Sequence, residues 1–311
     1  MTSNLKLMGR RAAFRLKKAI APVVGTATIG AFKLARRTNP DRMARVGSAT
    51  MRRLGPLLRE HRIGRANLQA AFPEKSPEEI ETILRGVWDN LGRVGAEFAH
   101  LDRMWGLLTE ENQVRIFETP DSIARLNALR DDGKPALIFA AHLANWEVSA
   151  LTATALGLDT TVLYRRPNLA PIADAVVTLR AGCMGKLVPT SIEAPAKLAQ
   201  ILEAGGHVAL LVDQYNVQGV DVTFFGRKTK ANPTLARLAR LVECPIHGSR
   251  VIRHPDNRFE VELTPAIAPA RDASGQIDVQ GTMQIITNVV EGWVREHPEQ
   301  WLWLHRRWRD E

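Results

Sequence analysis

The feature that most constrains the fold is a regular alternation of short apolar runs and helix-like segments after Gly133. Four apolar runs lie at residues 135–141, 160–164, 187–189 and 207–212, and helix-like segments separate them at 146–157, 172–179 and 193–203. Short apolar runs bounded by turn residues are typical of buried strands, and strands that alternate with helices indicate a largely parallel sheet. The pattern therefore predicts an α/β fold whose central sheet is flanked by helices.

Helical spacing dominates the region before this alternation. Between residues 65 and about 129 the apolar residues recur every three or four positions, most clearly over 80–91. Ser76, followed by a proline and two glutamates, marks a helix start. After the alternation, the pattern predicts a hairpin over 246–263 and a final helix over 282–296.

Charge sets the N-terminal segment apart from the rest of the chain. The first 65 residues contain sixteen Lys or Arg and only two acidic residues, whereas the whole chain has a net charge of +9, so the remainder is net negative. Residues 19–32 are mostly apolar, but this run is shorter than the roughly 20 residues that a spanning helix needs. We therefore divide the chain into a basic, membrane-associating segment (1–40), a helical region (41–130) and an α/β core (131–311).

A basic segment on a mildly acidic body favours a polyanionic partner, either nucleic acid or anionic lipid. Lys and Arg flank the apolar run on both sides, which fits an interfacial anchor at an anionic membrane surface on the cytoplasmic face. A cleaved secretory signal and an ordinary amphipathic helix docked on its own domain are the alternatives. The charge pattern alone leaves all of these open.

The composition argues against several kinds of chemistry. Two cysteines, Cys183 and Cys244, indicate a reduced compartment rather than a disulfide framework. The eight histidines lack zinc-type spacing, and the chain has no Gly-rich phosphate loop and no nucleophile elbow. We expect no metal and no cofactor.

Polar residues follow the predicted strands at the points where these strands end. His142 and Glu147 follow the first strand, and the others are Tyr164, Arg165 and Arg166, Thr190 and Ser191, and Asp213 and Gln214. Ligand sites in open α/β sheets form outside the carboxyl ends of the strands, so we expect these side chains to converge. Individually, each of them is also compatible with a cap, a turn or a solvated surface.

The spacing of His142 and Glu147 predicts how the two could meet. Residues five apart in one regular helix point about 140° apart, so the histidine must lie in the turn after the strand and the glutamate in the first turn of the next helix. Glu147 could then orient the imidazole and raise its basicity. The chemistry that remains is a histidine base acting directly on a substrate hydroxyl.

Several motifs resemble a known family. The segment from His142 to Glu147, with Asn145-Trp146-Glu147, resembles the His-x-x-x-x-Asp/Glu motif of glycerolipid acyltransferases, and its spelling resembles the bacterial lipid A late acyltransferases. The matching motifs elsewhere are 67–74, Tyr164-Arg165, Asp213-Gln214, Phe224-Phe225-Gly226 and 298–308. The resemblance covers most of the chain.

This resemblance implies an enzyme at the cytoplasmic face of the inner membrane. It would move a fatty acyl chain from acyl carrier protein to a hydroxyl of a 3-hydroxyacyl chain on a lipid A precursor, and nucleic acid would not be a partner. His142 would be the general base with Glu147 as its partner, and the substrate-binding candidates are Asn145, Tyr164, Arg165, Arg166, Asp213 and Gln214. An acyltransferase for another glycolipid, such as a phosphatidylinositol mannoside, and a non-catalytic basic binding protein are the alternatives.

Overall fold

The computed structural model describes residue 30 and residues 32–107, 114–166 and 170–309. The apolar run at 19–32 therefore lies almost wholly outside the described residues, and so does most of the predicted membrane-associating segment. Among the described residues, no helix is both long enough and apolar enough to cross a bilayer.

Seven strands form the central sheet, in the order β1-β9-β8-β2-β5-β3-β4. They are β1 (Ile116–Glu118), β2 (Ala136–Ala140), β3 (Thr160–Tyr164), β4 (Lys186–Pro189), β5 (His207–Leu211), β8 (Ile246–Arg253) and β9 (Phe259–Leu263). Every neighbouring pair is parallel except β8 and β9, which form the predicted hairpin. The predicted α/β class is confirmed.

Ten α-helices whose full bounds lie within the described residues accompany this sheet. They are α1 (Pro40–Leu54), α2 (Arg59–Ala71), α3 (Pro77–Glu97), α4 (Leu101–Met104), α5 (Pro120–Asp131), α6 (Glu147–Ala155), α7 (Ala170–Ala181), α8 (Ala194–Glu203), α9 (Thr234–Leu241) and α10 (Val279–Glu296). The start of α3 is the predicted one, because Ser76 and Glu79 form a reciprocal capping box there.

Alternate residues of the central strand β2 serve the two faces of the sheet. On one face, Phe139 stacks on Trp293 of α10, with ring centroids 5.5 Å apart. On the other face, Ile138 lies opposite Ala209 of β5, and both border a cavity. This second face of the sheet therefore forms one wall of the cavity.

Two features of the structure differ from the sequence prediction. The region predicted to be helical up to Leu129 contains strand β1, which is only three residues long and pairs with β9 more than a hundred residues later. A second hairpin, β6 (Tyr215–Phe224) with β7 (Arg227–Ala231), was not predicted at all. Its turn is Phe225-Gly226, both at positive φ. A three-residue strand and a half-exposed hairpin do not produce a clear apolar pattern, so the sequence analysis missed both of these features.

Candidate active site

His142 lies in the six-residue turn between β2 and α6. The C-terminal segment holds this turn, since the Ala144 N–H donates to the Gln300 carbonyl (2.9 Å) and the Leu302 N–H to the His142 carbonyl (3.1 Å). Ala144 has φ +48°, a conformation that costs a non-glycine residue energy and persists only where its surroundings impose it. The turn therefore holds His142 in one place.

Asp213 forms two hydrogen bonds with His142. One carboxylate oxygen accepts from the His142 backbone N–H and the other lies beside the ring Nδ1, both at 2.8 Å. The indole Nε1 of Trp301 also donates to this carboxylate, at 2.8 Å. The Asp213 side chain is only 2% exposed, whereas that of His142 is 15% exposed. This arrangement fixes the ring and leaves its Nε2 on the cavity side, next to the Gln214 amide at 3.3 Å.

Electrostatics strengthens the pair in both directions. Burial opposes the charge on Asp213, but the adjacent His142, together with the hydrogen bonds from the His142 backbone and from Trp301, lowers the pKa of the carboxyl to about 2. Burial likewise opposes the imidazolium, but the Asp213 carboxylate outweighs it and raises the pKa of His142 above its ordinary value. Asp213 thus raises the basicity of the histidine.

The expected direct partnership of His142 and Glu147 is wrong. Glu147 begins α6 and is buried, but its carboxylate accepts from the Arg180 guanidinium (Nε at 2.9 Å, and Nη2) and from the Trp146 indole (3.1 Å). Its charge still contributes to raising the pKa of His142, while Arg180 lowers it. Asp213, predicted only as a substrate-binding residue, therefore orients the ring, and Glu147 acts on it only through its charge.

The remaining candidates are divided between the cavity and other places. Tyr164, Arg165 and Gln214 line the cavity that opens at His142. Arg166 instead forms an exposed ion pair with Asp174 (2.6 Å). Asn145 is fully buried behind the turn and donates to Glu97 (2.9 Å). This side chain therefore supports the turn from behind.

The cavity has a volume of about 630 Å³ and runs from the strand ends along the sheet beneath α6. Its mouth carries His142, Trp146, Arg165, Arg180, Gln214 and Tyr215. Its interior walls are largely aliphatic and include Ile138, Ala140, Ala153, Val162, Ala209 and Leu263. A space of this kind suits a hydrocarbon chain whose polar end stops at the histidine.

Sequence reasoning missed two residues of this site. Arg180 lies inside helix α7, 33 positions from its partner, where nothing marks it off from any other basic helix residue. Trp301 was noted only within the C-terminal motif, and its contact with Asp213 joins residues 88 positions apart. Among the described residues, no cluster of three or more His, Cys, Asp or Glu side chains could hold a metal ion.

A histidine–aspartate pair at the carboxyl ends of parallel strands, opening into an apolar cavity, is an arrangement that suits proton transfer beside a hydrocarbon chain. Acyltransferases are one class of enzyme with this chemistry. The family of bacterial lipid A biosynthesis acyltransferases matches residues 15–310. The chain belongs to this family, and the resemblance inferred from its motifs is confirmed. No curated protein matches the chain.

The Glu147–Arg180 pair leads to a test that separates folding from chemistry. We expect Arg180→Met to lower the free energy of unfolding by about 3–5 kcal/mol, because it leaves a buried carboxylate without its counter-charge. Adding Glu147→Gln should restore most of this stability, since both charges are then absent. Acyl transfer by the double variant should stay low, because both side chains line the cavity next to His142. Denaturant unfolding and initial rates measure the two effects.

Arg166→Gln is the matched control for this test. Arg166 is an arginine in an exposed ion pair, and such pairs contribute about 0–1 kcal/mol. Its stability and rate should equal those of the wild type. A double variant of Glu147 and Arg180 with wild-type activity would reduce the pair to a purely structural role.

Proposed function

We propose that this protein transfers a fatty acyl chain from an acyl carrier protein thioester to the hydroxyl of a 3-hydroxyacyl chain on a lipid A precursor. The observation that carries the proposal is the His142–Asp213 pair at the mouth of an apolar cavity. Family membership supplies the general reaction, and the donor, the acceptor position and the residue roles are proposed.

His142 acts as the general base. Its Nδ1 is engaged by Asp213, so the Nε2 on the cavity side takes the proton from the acceptor hydroxyl. The hydroxyl oxygen then forms a bond to the thioester carbonyl carbon, and the carbon–sulfur bond breaks as the tetrahedral intermediate collapses. The proton returns from His142 to the departing thiolate. No step needs an oxidant, a metal or a cofactor.

The polar residues at the cavity mouth supply the rest of the chemistry. The Arg165 and Arg180 guanidiniums and the Gln214 amide are donors at the edge where the carbonyl oxygen of the thioester develops negative charge. Tyr164 and Trp146 also line the cavity beside these donors. The donor acyl chain occupies the aliphatic interior, which keeps water away from the thioester.

Two measurements test this function directly. Purified protein should consume an acyl carrier protein thioester only when a hydroxyacyl glycolipid is present, with formation of a new ester. Mass spectrometry of lipid A from cells with and without the protein should show the loss of one acyl chain. Unchanged lipid A together with transfer to a different glycolipid would replace the proposed acceptor.

We further propose that the protein works at the cytoplasmic face of the inner membrane, held there in part by its basic N-terminal segment. Lys and Arg near an anionic leaflet each contribute roughly 1 kcal/mol, a term that salt screens. Deleting residues 1–29 should leave turnover of detergent-dispersed acceptor intact and slow the reaction on acceptor embedded in vesicles. The cut spares the contacts of Phe32 with Phe98 and of Arg36 with Asp102.

Vesicle flotation of the full-length protein completes this test. High salt should weaken attachment to anionic vesicles without dispersing it completely, because the apolar residues of the segment still bury area. Attachment that resists both high salt and alkaline wash would contradict the interfacial anchor and indicate a spanning segment.

A further inference from the structure

A second concave surface lies beside the catalytic cavity. This arginine groove is lined by Arg59, Arg62, Ile63, Ala66, Asn67, Arg306, Trp308 and Arg309 and has a volume of about 820 Å³. It contains four arginines and no acidic residue. Clustered guanidiniums repel one another, so a groove of this composition has a strong preference for an anion.

None of these four arginines forms an ion pair within the described part of the chain. Elsewhere in the same structure, exposed arginines such as Arg166 and Arg271 do pair with nearby carboxylates. Arg59 and Arg62 are one helical turn apart near the start of α2, and so they present their charges on the same side. Arg306 and Arg309 face them from the C-terminal segment.

The groove has a rigid base. The side-chain amide of Asn67 is buried at its floor and donates to the carbonyls of Trp303 and His305, each at 2.8 Å. These bonds hold α2 against the C-terminal segment. The two pairs of arginines, one on each of these elements, are thereby brought together. The separation of the four charges is therefore set by the fold.

The groove and the catalytic cavity meet at a contact between one residue of each. The guanidinium of Arg309 stacks over the Tyr215 ring at 4.7 Å, and Tyr215 lines the catalytic cavity. Tyr215 directly follows Gln214, whose amide contacts His142. A ligand with an anionic head in the groove could therefore place an attached chain at the histidine.

An exposed apolar tip directly precedes the groove residues of α2 along the chain. Leu57 is 80% exposed in the turn between α1 and α2, and Leu54 and Leu58 beside it are also exposed. Arg59 and Arg62 follow this tip immediately along the chain. Exposed leucines rimmed by arginines are typical of a surface that meets the headgroup region of a bilayer.

We propose that the arginine groove binds the phosphorylated sugar head of the acceptor glycolipid, so that its acyl chains reach His142. This proposal rests on the proposed function and names a second subsite for the acceptor. Planar guanidinium forks match phosphate oxygens, and a concave groove suits a compact head. An acidic helix of the donor's carrier protein is convex and would leave the neighbouring leucines without a partner, so the lipid is the better fit.

Steady-state kinetics in which the acceptor and the donor are varied independently tests the role of the groove. We expect Arg62→Gln and Arg309→Gln each to raise KM for the acceptor about three- to tenfold, with kcat and KM for the donor unchanged. Arg237→Gln, an exposed arginine on α9 away from the groove, is the matched control. An acceptor from which the phosphates have been removed should bind wild type and variants equally weakly.

A comparison of two acyl donors tests the alternative that the groove binds the carrier protein and not the acceptor. The variants should behave alike with an acyl carrier protein thioester and with a small acyl-pantetheine thioester. A raised KM for the carrier-protein donor alone would overturn the proposal and assign the groove to the carrier. Unchanged kinetics with every substrate would also overturn it.

A binding experiment makes the test independent of turnover. His142→Ala protein, titrated with the phosphorylated acceptor in detergent micelles, should lose affinity at least about tenfold when Arg62→Glu and Arg309→Glu are added. Equal affinity would reject the groove even if the enzyme is active. Wild-type protein that binds this acceptor through the groove but transfers no acyl chain would instead reject the proposed function.

Discussion

His142→Ala is expected to lower the rate of acyl transfer roughly 10²–10⁴-fold, the contribution of a positioned general base. The ring is held by Asp213 and faces the cavity through its second nitrogen, so the substitution removes the base from the position that the cavity presents to substrate. The fold should persist, because the backbone bonds that hold the turn do not involve the imidazole. Initial rates with saturating donor and acceptor measure the effect.

Circular dichroism and thermal unfolding provide the control for this variant. The folded structure should be retained, and binding of the acyl donor should remain, because the aliphatic cavity is unchanged. Wild-type turnover by His142→Ala would show that a different group removes the proton, and the mechanism would have to be abandoned.

Asp213→Asn is expected to have an effect of comparable size, roughly 10²–10⁴-fold, although it changes only one atom type. The neutral amide cannot stabilise an imidazolium. In the wild type, the Asp213 carboxylate accepts hydrogen bonds from the His142 backbone, the His142 ring and the Trp301 indole, and the NH₂ group of asparagine cannot accept any of them. The ring therefore loses both its orientation and its raised basicity. Rates measured from pH 5 to pH 9 distinguish the two losses.

The sign of the pH effect follows from the pKa of His142. In the wild type the Asp213 carboxylate raises this pKa, and the base is active only when neutral, so activity should increase as the pH rises through a midpoint above 6.5. In Asp213→Asn the midpoint should move to lower pH, because the stabilising charge is absent. Gln214→Ala is the control, since it touches the ring without a charge and should leave the midpoint nearly unchanged. An unchanged midpoint in Asp213→Asn would mean that Asp213 does not set the basicity of the histidine.

The sequence by itself determined the elements that carry the site. Apolar runs ending in His142 and Asp213 are local patterns, and each predicted a strand whose carboxyl end presents a polar side chain. The structure has these strands as β2 and β5, within one or two residues of the predicted ends. The family resemblance could also be recognised from the sequence, because its motifs are contiguous stretches of residues.

The pairing of those ends was decided by the tertiary structure. β2 and β5 are neighbours with Ala140 opposite Leu211, so His142 and Asp213 each lie two residues beyond a matched pair and meet side by side. Strand order and register depend on packing over the whole sheet, and an apolar run does not encode which strand it will adjoin. The same holds for Glu147, whose position five residues after His142 suggested that the histidine is its partner. Its actual partner, Arg180, is brought by the helix that follows β3, because a buried carboxylate requires the nearest available cation and only the folded chain determines which one that is.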